Sequence, residues 1–379
     1  MNKILEELVT VSKGKKAQAV FTNNIPASVR YIQIEDLRTD TKLQYTTDKN
    51  GTFVSEDDVC IAWDGANAGT IGYGLNGLIG STIARLRFKE FYKDKIHTPY
   101  IGRFLQSKFS FLNGKTTGTT IPHIEKSRLD NLLISIPSLE EQRRIAAILD
   151  KAEAIHHKRQ KALKMADDFL KSVFLDMFGD PVINPMKWKS VALTTIAEVV
   201  SGVTKGKRYS DPNLIRVPYM RVANVQDGHI LLNEIKEIDV LKAEAERYKL
   251  LPQDILLTEG GDPDKLGRGA IWHGEIKNCI HQNHIFRVRL VSDMVLPEYL
   301  SALLGSSYGK RYFLQAAKQT TGIASINKTQ LSEFPVLMPD RALQQQYENF
   351  CLAHAIFRSK LQCESTKVLS ASLLNEFFH

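Results

Sequence analysis

Two kinds of side chain in this sequence are spaced for chemistry on a polyanion. Lysines and arginines gather around glycines: Lys13, Lys15 and Lys16 in VSKGKK, and Lys205, Lys207 and Arg208 in VTKGKR. Cationic groups beside a backbone that can turn sharply suit phosphate, Lys as a point charge and Arg as a bidentate donor. Further polar groups follow. They are Asn67, Thr116, Thr117, Gly118 and Thr119 in the first half, and Arg221, Asn224, Lys265, Arg268, Gln319, Thr320, Thr321, Gly322 and Lys328 in the second. Such amides, hydroxyls and cations bond to phosphate oxygens and to base edges in a DNA groove. The glycines of the Thr-Thr-Gly stretches permit close backbone approach to phosphate, or simply make a turn.

No comparable set supports catalysis. The chain has no GxxxxGK[ST], so no ATP-driven motor is expected. Asn184-Pro185-Met186 is the nearest approach to the Asn-Pro-Pro-aromatic stretch of an adenine methyltransferase, and it reads as a loop. GTIGYG, from Gly69 to Gly74, reads as a hairpin turn. His281 and His284 lie three apart on a strand and face opposite sides. His156 and His157 are adjacent on a helix and diverge. Cys60, Cys279, Cys351 and Cys363 are scattered, without a CxxC, which argues against a disulfide framework or structural zinc. The expectation is a chain with no catalytic residue and no metal site.

Charge and composition agree with a polyanion partner. The net charge of the 379 residues is +8, and excess positive charge suits nucleic acid. A hydrophobic fraction of 43% with 24% charged residues is that of a soluble globular protein. No apolar run has transmembrane length, and MNKILEELVT is acidic where a signal peptide would be apolar. A cytoplasmic protein with no membrane association is expected.

The elements that position these groups occur twice. KTTGTTIPHIEKSRLDNLLISIPSLEEQ, Lys115 to Gln142, is echoed by KQTTGIASINKTQLSEFPVLMPDRALQQ, Lys318 to Gln345. Thr117 and Thr321 stand 204 apart; Ile124, Leu129 and Pro137 stand 202 from Ile326, Leu331 and Pro339. VSKGKK precedes VTKGKR by 192, and DVCIAWDG precedes DILLTEGG by 196. Four landmarks in one order define a duplicated domain with small loop insertions. Each copy runs from the basic turn through short strands, VRYIQIEDL or VPYMRVANV, then VCIAWDGANAGTIGYG or ILLTEGGDPDKLGRGAIW, then STIARLRF or HIFRVRLV. A short helix, TPYIGRFLQS or LPEYLSALLGS, carries Pro near its first turn and leads to the Thr-Thr-Gly stretch. This is a mixed α/β domain with a curved or partly open sheet.

A long helix follows each copy. Ser138 to Phe178 contains neither Gly nor Pro, Ser138 and Glu141 have capping-box spacing, and Gly179-Asp180-Pro181 ends the run. Forty helical residues span roughly 60 Å. Ile145, Ile148, Ala152, Ile155, Ala162, Ala166, Phe169 and Val173 form one apolar stripe. The second tail carries Leu343, Tyr347, Phe350, Phe357, Leu361, Val368 and Leu373, and closes SLLNEFF as the first closes SVFLDMF. A single stripe needs a partner. Pairing the two helices antiparallel makes Ile145, Ile148, Ala152, Ile155, Phe169, Val173, Phe350, Phe357 and Leu361 the candidate partner-helix interface. The expected fold class is α/β, with two similar mixed α/β domains joined by two long, antiparallel coiled-coil-like helices with pseudo-twofold symmetry. The expected domains are 1–137, a spacer helix 138–179, 180–339, and a C-terminal spacer helix 340–379.

The order of head, LEEQRRIAAILDKAEAI helix ending in FGDP, second head and second helix resembles the specificity (S) subunits of type I restriction-modification systems. The resemblance covers essentially the whole chain. IPSLEEQRRIAAILDKAEAI, DILLTEGGDPDKLGRGAIW and TTGTTIPHIEKSRL carry most of it. It implies two target recognition domains, each reading one half of a split site on double-stranded DNA. It also implies helices that set the gap and bind two methyltransferase (M) subunits, with restriction (R) subunits joining for cleavage. S-adenosylmethionine, ATP and Mg would then sit on partner subunits, with no cofactor on this chain. The two heads differ at most polar positions, which fits an asymmetric target. A protein-binding two-headed scaffold and a self-contained DNA-modifying enzyme are the alternative readings.

Overall fold

The computed structural model describes residues 1–113, 123–206, 213–262, 265–320, 323–363, 373–374 and 376–378. It forms two compact units, Met1–Lys161 with Glu364–His379, and Ala162–Cys363. One boundary falls inside the helix Leu139–Phe178, whose two ends enter different cores, and the other follows Cys363, the last residue of the helix Arg341–Cys363.

In the first unit, β-branched and apolar alternation produces β1 (Val9–Lys13), β2 (Val29–Ile32), β3 (Val59–Ala62), β4 (Ile71–Tyr73), β5 (Gly77–Ile79) and β6 (Ile83–Phe88). The antiparallel sheet runs β1-β6-β3-β4, while β2 and β5 pair in parallel in a smaller sheet. α1 (Thr98–Ser107), with Pro99 in its first turn, packs Tyr100, Phe104 and Leu105 on Val59, Ile61 and Leu86. Each such buried aliphatic side chain contributes about 1.5–3 kcal/mol. α2 (Leu139–Phe178) follows.

The second unit repeats this plan with β7 (Ala197–Ser201), β8 (Leu214–Met220), β9 (Ile255–Thr258), β10 (Gly269–Ile271), β11 (Ile280–His281) and β12 (Ile285–Leu290). Its sheet runs β7-β12-β9-β10, with β8 parallel to β11. α3 (Pro297–Gly305) supplies Tyr299, Leu300 and Leu303 to a core with Ile255, Leu257 and Val288. Both heads lock the same strand pair with a buried aspartate held bidentately: Asp58 by Arg87 at 2.8 and 2.6 Å, Asp254 by Arg289 at 2.7 and 2.7 Å.

The shared register corrects one repeat match. Lys15 N donates to Ile79 O, and Val203 N donates to His281 O, so Gly14 corresponds to Gly202 and not to Gly206. A Cβ on Gly14 would lie 2.2 Å from Gly80 O, and on Gly202 1.9 Å from His281 O. These glycines serve the crossing of two backbones. Lys205 and Gly206 belong to a turn just beyond that crossing, with Gly206 at φ +81°.

His281 is fully buried beneath this crossing, with Nδ1 3.0 Å from Ile285 O. Burial drives its pKa down to about 4, and the charges of Arg287 and Arg289 act in the same direction. The depressed value means the unfolded chain binds the proton first. The second unit is therefore expected to lose roughly 3 kcal/mol as pH falls from about 6.5 towards 4. Denaturant midpoints across that range check this, and His281→Asn should flatten the dependence.

α2 begins on the first head. Ser138 Oγ accepts from Glu141 N at 3.3 Å, which is the N-cap half of the capping box, while both carboxylate oxygens of Glu141 go to Arg144. Gln142 is wholly buried: it accepts from His97 N and donates to the carbonyls of Lys95 and Pro137. Gln344, in α4 (Arg341–Cys363), makes the same three bonds to Leu296, Met294 and Pro339. Gly179, at φ +76°, ends α2.

The helix ends dock as the SVFLDMF and SLLNEFF echo suggests. Phe174 and Phe178 enter the second core against Tyr299 and Tyr347. Leu373, Leu374, Phe377 and Phe378 pack on the first core, Phe378 against Tyr100 and Phe104. Within the second unit α4 runs antiparallel to the end of α2. Tyr347 meets Phe174 and Phe178, and Asp167 meets His354 at 2.9 Å and Arg358 at 2.8 Å.

The expected partner-helix interface is only partly of that kind. Ile145 lies in the first head's core, Ala152 is buried and Ile148 half-buried. Ile155, Phe169, Phe350 and Phe357 are exposed, at 45, 61, 43 and 44%. Val173 packs at the edge of the second core, and Leu361 is half-buried. The stripe turns because its two ends serve two cores, Ile145 that of the first head and Val173 that of the second.

Candidate nucleic-acid interface

Three segments far apart in sequence meet at one edge of each head. In the first, the end of β1 places Lys13 Nζ 3.1 Å from Asp64 Oδ2 and over the Trp63 ring. Asp64 lies in the loop after β3 and bridges to His123, and Ile124 N donates to Trp63 O at 2.9 Å. The chain leaving the Thr-Thr-Gly stretch is thereby tied to this loop. Lys15 and Lys16 are exposed beside it. Asn67 is exposed in the same loop, its Oδ1 accepting from Arg38 at 3.3 Å. Thr116, Thr117, Gly118 and Thr119 lie outside the described residues.

The second head uses the same joints with different side chains. Asn283 N donates to Val203 O at 2.9 Å, and Glu259 N to His284 O at 3.0 Å. Gly260–Gly261 pairs with Ala324–Ser325, in a strand, Ile323–Ser325, that also pairs with Lys318–Thr320. Lys205 and Lys328 are exposed. Lys265 pairs with Asp262, and Arg268 donates to Gln226 Oε1 at 3.0 Å. Lys207, Arg208, Thr321 and Gly322 lie outside the described residues, as do the side chains of Gln319 and Thr320.

Two expected contacts are structural instead. Asn224 is 3% exposed: its Oδ1 accepts from Arg221 N, and its Nδ2 donates to the carbonyls of Leu231 and Glu234. Arg221 turns back to the carbonyl and carboxylate of Glu234. Both hold the 222–234 loop, because a turn that follows an inner strand needs its backbone groups satisfied. Sequence reasoning does not single out Arg38, Thr70, Gln226 or the His284–Glu259 pair, because each meets its partner only through the fold.

Among the described residues, no three His, Cys, Asp or Glu side chains gather as a metal would need. His281 is buried while His284 is exposed. Desolvation pushes the thiols of Cys60, Cys279 and Cys351 up to about 12, which disfavours the reactive thiolate.

Residues 1–165 match the type I restriction modification DNA specificity domain. The MjaVIII specificity subunit of Methanocaldococcus jannaschii is 27% identical over 326 residues, 80% of this chain and 74% of that one. The EcoBI specificity subunit of Escherichia coli is 23% identical over 373 residues, 91% of this chain and 76% of that one. The S subunit structure from M. genitalium aligns with TM-score 0.57 at 14% identity, covering 100% of this chain and 96% of that one. A chain from a structure of type I restriction-modification complex assembly gives 0.54 at 16%, covering 100% and 97%. Both alignments support the fold. Duplicated α/β heads, each with a long helix rooted in its core, are the class of fold that these alignments support. The chain is thus similar to specificity subunits of type I restriction-modification systems over most of its length, and its first 165 residues match their DNA specificity domain.

Proposed function

We propose that this chain selects a split, asymmetric DNA site, one head per half-site, and brings methyltransferase and restriction subunits to it. The observation that carries this reading is the convergence in each head of a lysine-bearing turn, the loop after the third strand and the exit of the Thr-Thr-Gly stretch. Lys13, Lys15, Lys16, Lys205 and Lys328 supply phosphate contacts, and Lys207 and Arg208, next in sequence, add to the positive charge of the second head. The Thr-Thr-Gly segments, Thr116 to Thr119 and Thr320 to Gly322, with Asn67 and Lys265, supply the groups nearest the bases. Ile155, Phe169, Phe350 and Phe357, left exposed on the helices, suit apolar contact with the methyltransferase subunits, two of them in this reading. S-adenosylmethionine, ATP and Mg belong to the partner subunits. No helix among the described residues is long and apolar enough to cross a membrane, and we place the protein in the cytoplasm.

The helix α2 sets the unread gap in this reading. Removing two turns, about seven residues, from its middle is expected to change the gap in the methylated site and leave both half-sites intact. Sequencing the methylated adenines decides; altered half-sites with an unchanged gap would sink the spacer role.

A further inference from the structure

The two heads hold an arginine at one equivalent place but supply it from opposite sides. β3 and β9 fix the first correspondence: Ala62 N donates to Thr70 O, and Thr258 N donates to Arg268 O, each at 2.8 Å. Thr70 therefore corresponds to Arg268. Capped turns fix the second: Asp36 accepts from Gln33 N at 2.7 Å, and Asn224 from Arg221 N at 3.0 Å. Two residues further on, Arg38 corresponds to Gln226. In the first head Arg38 Nη2 donates to Thr70 Oγ1 at 2.8 Å and to Asn67 Oδ1 at 3.3 Å. In the second, Arg268 Nη1 donates to Gln226 Oε1 at 3.0 Å.

We propose that Arg38 and Arg268 are specificity-determining residues, each reading the major-groove edge of a guanine in its own half-site. This deepens the reading of the chain as a DNA-selecting subunit and rests on it. Neither guanidinium pairs with a carboxylate among the described residues, whereas Arg30, Arg87, Arg221 and Arg289 of the same heads do. A neutral acceptor fixes the side-chain rotamer without cancelling its charge, and so preorganises the remaining N–H groups. Arg38 is exposed and Arg268 half-exposed. Both arginines lie at the loop tied to the Thr-Thr-Gly exit. A planar fork of donors matches guanine N7 and O6, the commonest specific contact to a base. Crossing the arginine to the other side of the pair shifts the fork, so two heads of one fold read guanines at different positions.

The test maps adenine methylation by the whole complex of this chain with its methyltransferase partner, using wild type and the variants Arg38→Ala, Arg38→Lys, Arg268→Ala and Arg268→Lys. Each wild-type half-site is expected to contain an obligate G·C pair. Arg38 variants should relax one such pair in one half-site, with discrimination falling tenfold to a hundredfold, and leave the other half-site unchanged. Arg268 variants should do the reverse. The lysine variants keep the charge and lose the fork, and complex formation by size-exclusion shows that each chain folds. An unchanged motif, or a slower rate on every site with the motif intact, overturns the proposal; the second outcome marks a phosphate contact. A wild-type complex with no split motif fails at the underlying function, before any variant is compared.

Discussion

Phe178→Ala will destabilise the second unit by about 3–5 kcal/mol, the range for removing a buried aromatic ring. Phe178 is 3% exposed, with ring centroids 5.0 Å from Phe174, 4.8 Å from Tyr299 and 5.5 Å from Tyr347. The surrounding rings come from α2, α3 and α4, so the cavity would lie where three elements converge and could collapse only by moving one of them. Phe378→Ala removes the matching ring from the first unit, where Phe378 is only half-buried, and should cost less. Hydrogen exchange on α3 and α1 separates the two, since each variant should loosen one of these helices and leave the other protected.

The next largest effect is expected at the buried ion pair. Arg289→Ala leaves the Asp254 carboxylate, 1% exposed, with the Leu251 N–H at 2.7 Å in place of three donors. Stranding a buried charge costs about 3–5 kcal/mol. Asp254→Asn keeps an acceptor for Leu251 and leaves behind an arginine that is 28% exposed and can reach water, so about 1–3 kcal/mol is expected. Equilibrium denaturation should therefore rank Arg289→Ala below Asp254→Asn. The opposite order would mean that the arginine, and not the aspartate, is the group that folding desolvates at a cost.

The duplication was legible because its landmarks are residues that backbone geometry demands. DVCIAWDG and DILLTEGG share the aspartate that holds the arginine of the adjoining strand. SLEEQ and RALQQ share the buried glutamine, although nothing in sequence says that it plugs three backbone groups. Lys-Gly-Lys occurs in both basic turns and aligns them in sequence, whereas the structural register is set by Gly14 and Gly202 at a backbone crossing. Sequence makes the helical stripe one seam, since periodicity reports which residues are apolar but not which surface each one meets. Asn224 had a base-reading residue's chemistry and a capping residue's place. The Arg38–Thr70 and Gln226–Arg268 pairs, 32 and 42 residues apart, come together only through strand pairing.

The central claim is that one chain carries two independent DNA readers. Mapping every methylated adenine produced by the wild-type complex tests it most directly. The account predicts a motif of two dissimilar half-sites separated by a fixed run of unread base pairs. A contiguous motif, or methylation without sequence preference from a fully assembled complex, would contradict it.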